Sequence, residues 1–98
     1  MITIKQLPEF GVWLSGIRDV TTRLRLAKRL DKAARGLLGD VKSVGVGVYE
    51  MREDFGPGWR MYYTQRGQVL IVMLGGGSKS TQQADIAKAI ELAGRLEE

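Results

Sequence analysis

Ninety-eight residues, 44 % apolar and 27 % charged, suffice for one core and one domain. The chain holds neither cysteine nor histidine, which excludes disulfides, iron–sulfur clusters and thiolate or imidazole catalysis and removes the commonest zinc ligand. Its net charge of +4 is concentrated: seven basic residues (Arg18, Arg23, Arg25, Lys28, Arg29, Lys32, Arg35) face only Asp19 and Asp31, while the remainder is slightly acidic. Such a segment either attracts a polyanion or acidic partner, or forms the solvated face of a helix.

Ile2 and Ile4 alternate with polar residues and predict a short first strand. No basic region leads into a long apolar run there, so no signal peptide is read, and the expected location is cytoplasmic, away from membranes. Pro8 suits a first helical turn, and the spacing of Phe10, Trp13 and Leu14 predicts a helix over residues 8–14 that Gly16 interrupts. Asp19 is the expected N-cap of a longer helix whose inward stripe reads Val20, Leu24, Ala27, Leu30, Ala34 and Leu37, with Gly36 and Gly39 as stop signals.

From Val41 the period becomes two. Val44, Val46 and Val48 continue through residues 49–53 as one strand, Phe55-Gly56-Pro57-Gly58 turns the chain, residues 59–63 return, and the apolar run 69–74 forms a last, central strand. Ser80 and Gln83 have capping-box spacing ahead of a closing helix with Ile86, Ala89, Ile90, Ala93 and Leu96 inward. The expected class is α+β, in the order β-α-α-β-β-β-α. A small, mainly antiparallel sheet carries a helical hairpin on one face and a C-terminal helix, with the helices placed against a single face.

Three features suggest chemistry. If the hairpin loop is Phe55-Gly56-Pro57, Arg52 lies opposite Arg60 and Glu50 opposite Tyr62; a loop one residue longer puts Arg52 opposite Met61 instead. Gly75-Gly76-Gly77 before Ser78-Lys79-Ser80 is not a nucleotide-binding P-loop, because Ser78 stands where that motif needs glycine. It is read as a bare loop that lets backbone approach a phosphate, with Lys79 as point charge. Of Tyr49, Trp59, Tyr62 and Tyr63, two should face the core and two are free to stack on bases.

The segments 45–52, 56–63 and 74–82 with Asp85-Ile86, together with Phe10, Trp13 and Leu14, resemble the RelE/ParE superfamily of bacterial toxins, specifically its HigB-like branch of addiction-module killer proteins. The resemblance implies the toxin of a type II toxin–antitoxin pair, a ribosome-dependent endonuclease that cuts mRNA, needs no metal or cofactor, and is neutralised by a helix-turn-helix, HigA-like antitoxin. It makes Arg60, Lys79 and Arg52 the catalytic cations, with Arg23, Lys28, Tyr62 and Gln82 as RNA-binding positions. Gln82 and Gln83 stand where some relatives carry a tyrosine, and Glu50 where several carry lysine; Glu50, Glu53 and Tyr62 all remain open for proton transfer. The alternatives are a ParE-like, non-enzymatic gyrase inhibitor and an inactive binding domain of the same fold.

Overall fold

Residues 71–74 are buried on both sides because both faces of the sheet are covered, which is why this run need not alternate. In the computed structural model, which describes residues 1–96, the chain is an α+β fold. Its elements are β1 (Thr3–Gln6), α1 (Pro8–Ser15), α2 (Val20–Ala34), β2 (Val41–Gly45), β3 (Val48–Arg52), β4 (Trp59–Arg66), β5 (Leu70–Ser78), a 3-10 turn (Lys79–Thr81) and α3 (Gln82–Gly94). The five-stranded sheet has the order β1-β5-β4-β3-β2. β1 runs parallel to β5, pairing Thr3 with Leu70, and the other neighbours are antiparallel. Among the described residues no helix is long and apolar enough to cross a membrane.

Asp19 caps α2 as its position predicts: Oδ2 accepts from the Thr22 amide at 3.2 Å and the Thr22 hydroxyl at 2.6 Å. Those bonds favour the ionised carboxylate and hold the Asp19 carboxyl below its ordinary range, the Thr22 hydroxyl contributing most.

Four expectations are corrected. Residues 44–48 are not one strand. Gly45, Val46 and Gly47 all take positive φ (106°, 53° and 75°) and fold the chain into a tight turn between β2 and β3, leaving Val46 in solvent. Two glycines flanking the valine make that turn accessible, and this adds a strand to the sheet.

The inward stripe of α2 is Thr22, Leu26, Leu30 and Ala33, whereas Val20, Leu24 and Leu37 point outward. The helices also divide between two faces. α1 and α2 pack with Met51, Met61, Tyr63, Ile71 and Met73, while α3 packs with Val48, Tyr62, Val72 and Leu74 on the other side. Finally, α3 begins one residue later than a Ser80–Gln83 box requires. Thr81 is its N-cap, and the Thr81 hydroxyl donates to Asp85 Oδ2 at 2.5 Å instead of receiving a backbone amide.

Candidate functional site

The β3–β4 hairpin turns through Gly58, whose amide donates to the Phe55 carbonyl at 3.2 Å, and the Glu53 amide donates to the Trp59 carbonyl at 3.0 Å. That loop fixes the register with Arg52 opposite Arg60 and Glu50 opposite Tyr62. Alternation then sends all four side chains to the α3 face, because Met51 and Met61 occupy the other.

Glu50 is 1 % exposed and Arg60 3 %. The Arg60 Nε lies 3.8 Å from Glu50 Oε1, and its Nη1 donates to the carbonyls of Glu53 (3.0 Å) and Trp59 (2.9 Å). Gln82, the first residue of α3, donates from Nε2 to Glu50 Oε2 at 2.7 Å. Arg52 sits at the rim with Nε 3.7 Å from Asp40 Oδ2. The two facing arginines are therefore each matched by their own carboxylate, which offsets the repulsion their register imposes.

Tyr62 is completely buried beside Glu50. Desolvation above all, and then the charges of Glu50 and Asp85, push its phenol above the ordinary range. Its hydroxyl, Arg60 Nε and Arg52 Nε are buried without completing a hydrogen bond. Two of these donors, Arg60 Nε and the Tyr62 hydroxyl, lie beside Glu50, while Arg52 Nε faces Asp40 at the rim, so the cluster is short of acceptors.

The glycine run is not a loop but the last part of β5. A Cβ at Gly76 would lie 2.5 Å from the Trp13 ring, and one at Gly77 would collide with the Asp85 carboxylate. These glycines admit Trp13 on one face and the start of α3 on the other, so no phosphate-cradling loop forms. Lys79 is exposed just past the strand. Its amide donates to the Gly58 carbonyl at 3.0 Å, and its aliphatic stem covers Gly58, two residues before Arg60.

Of the seven site positions named from sequence, Arg60, Tyr62 and Gln82 converge on Glu50, with Arg52 at the edge and Lys79 on the flank. Arg23 and Lys28 do not join them, since α2 lies across the sheet; Arg23 Nη1 instead donates to the Ile17 carbonyl at 2.8 Å. Tyr62 cannot stack on a base from beneath α3. Tyr63 is buried on the opposite face, Tyr49 stacks on it at 5.5 Å, and Trp59 packs edge-on against Trp13 at 6.2 Å. Two of the four aromatics, Tyr62 and Tyr63, thus face the core as expected, while Tyr49 is exposed and Trp59 half-buried, each packed against another ring.

Glu50 stood in the sequence as one of three candidates for proton transfer, but its place as the hub, with Asp85 nearby, was not read there. The available signal was parity: Glu50 shares a strand face with Val48, so a carboxylate falls on an inward position. Arg29 was likewise missed as a structural cation. It donates to the carbonyls of Leu38 (3.0 Å), Asp40 (2.8 Å) and Arg52 (2.9 Å) and pairs with Glu53.

The chain is similar to an uncharacterized protein of Haemophilus influenzae, with 39 % identity over 95 residues that cover 97 % of this chain and 96 % of that one. No family model matches the chain, and no solved structure matches it.

Proposed function

The chain belongs to one family with the uncharacterized Haemophilus influenzae protein, which shares it nearly end to end, and we propose, from the resemblance in its sequence and the cluster around Glu50, that this small cationic domain is the toxin of a type II toxin–antitoxin pair. On this proposal it is a RelE/ParE-type, HigB-like endonuclease that cuts mRNA on the ribosome and is held in check by a helix-turn-helix antitoxin. The observation that supports the proposal is a shortage of acceptors on this face: Arg60 Nε and the Tyr62 hydroxyl beside Glu50, and Arg52 Nε at the rim beside Asp40, have no completed hydrogen bond. A phosphodiester supplies the acceptors that such a set lacks.

RNA brings its own nucleophile, the 2′-hydroxyl. Glu50 takes its proton once Gln82 swings off Oε2; Glu53 is engaged by Arg29, and the raised Tyr62 phenol is a poor acid near neutrality. The 2′-oxygen then bonds to phosphorus, the bond from phosphorus to the 5′-oxygen breaks, and the departing oxygen takes a proton from water. Arg60 and Arg52 stabilise the charge that develops on the non-bridging oxygens, with Lys79 attracting the strand from the flank. The ribosome supplies the in-line geometry.

The test is primer extension on mRNA incubated with ribosomes and purified protein. Breaks should appear at defined codon positions. They should fall by about a hundredfold to a thousandfold in Arg52→Ala and in Arg60→Lys, each first shown by thermal unfolding to be folded. Transcripts left intact while translation stops, or inhibition of DNA supercoiling by gyrase, would reject the nuclease and favour a binding toxin.

A further inference from the structure

Helix α2 carries more apolar surface than its own fold uses. Thr22, Leu26, Leu30 and Ala33 fill the inward face, yet Leu24 remains 64 % exposed and Val20 54 %, one turn apart on the outward face. Beside them lie two adjoining hollows. One, of about 190 Å³, is lined by Thr21, Leu24, Arg25 and Lys28; the other, of about 150 Å³, by Arg25, Lys28, Arg29, Lys32 and Glu53. They share Arg25 and Lys28, so together they form a single shallow groove along the helix.

The groove is fixed on one side and free on the other. The Arg25 guanidinium is held 3.7 Å over the Phe55 ring, and Arg29 is spent on Glu53 and backbone carbonyls. Lys28 and Lys32 are exposed.

We propose that this outward face of α2 docks an acidic amphipathic helix of a partner protein. The pairing of charge with greasy surface decides the class of partner. A nucleic-acid backbone uses cations but gains nothing from Val20 and Leu24. An acidic amphipathic helix uses both: its apolar ridge covers Leu24 and Val20, while its carboxylates flank Lys28, Lys32 and Arg25. The inference rests on the surface of α2 alone. The Glu50–Arg60 cluster lies on the opposite face of the sheet, so the failure of either proposal leaves the other standing.

The probe is a dye-labelled peptide of about 16 residues, long enough to hold a helix, rich in glutamate and with leucines at i, i+3, i+4 and i+7. Its binding to the intact protein is read by fluorescence anisotropy beside a shuffled peptide of identical composition. The patterned peptide should bind at least about tenfold more tightly than the shuffled one, the effect of burying roughly one leucine. Leu24→Asp should weaken it by about tenfold or more without changing the thermal midpoint, with Leu24→Ser as a milder companion, and Lys28→Glu with Lys32→Glu should weaken it too. Single-stranded RNA of equal charge should fail to displace it. Equal binding of the two peptides, no binding of either, indifference to Leu24, or displacement by the RNA would each overturn the proposal.

Discussion

Gly76 and Tyr62 are adjacent problems in opposite senses, one of space and one of polarity. At Gly76 a methyl group would sit 2.5 Å from the Trp13 ring, which itself packs against Phe10 and Trp59. Gly76→Ala should therefore destabilise the protein by about 1–3 kcal/mol in urea unfolding, the usual effect of overpacking. Adding Trp13→Leu should recover part of that loss, because it removes the clashing ring. At Tyr62 the hydroxyl is buried with no completed hydrogen bond, so deleting it should cost little at neutral pH. The consequence appears in alkali. The folded phenols of Tyr62 and Tyr63 are both raised, chiefly by burial, so above about pH 10 the unfolded chain releases protons that the folded one retains. Stability is fully present below that pH and falls as pH rises past it. Tyr62→Phe should flatten this decline, as read from unfolding midpoints between neutral and alkaline pH.

At the scale of elements, α2 is fastened to the sheet by one side chain as well as by its apolar stripe. Arg29 spans the α2–β2 connection at Leu38 and Asp40 and the end of β3 at Arg52 and Glu53. Arg29→Met keeps the stem but leaves several carbonyls and a half-buried carboxylate without their donor. It should cost about 2–4 kcal/mol and speed proteolysis within residues 35–40 before the rest of the chain yields. Elements of this kind were only partly legible in the sequence. Asp19 as a cap follows from a few neighbouring residues and is as local chemistry predicts, whereas the hairpin left two registers open and the folded loop selects Arg52 opposite Arg60. The orientation of α2 was not legible, because Leu24 and Leu26 offer rival stripes and only packing against Met51, Met61 and Tyr63 selects between them. The glycine run misled for a related reason. Glycines mark loops and close approaches alike, and here Trp13 and Asp85, distant in sequence or beyond a turn, are what approach. The Glu50 cluster needed α3 to be placed on the second face, which no local pattern states.

Taken whole, the molecule separates its two cationic regions by the thickness of a sheet. Arg52 and Arg60 lie towards α3, and the excess charge of residues 18–35 lies on α2 behind them. On the two proposals, a polyanion and an acidic helix would be engaged from opposite directions, with the five strands as a common wall. The chain order adds a constraint in time. β1 is made first but pairs only with β5, through contacts such as Thr3 with Leu70, and Gln82 reaches Glu50 later still. β1 therefore stays unmatched until β5 has been made, and the arginine–glutamate centre is completed only once Gln82 follows.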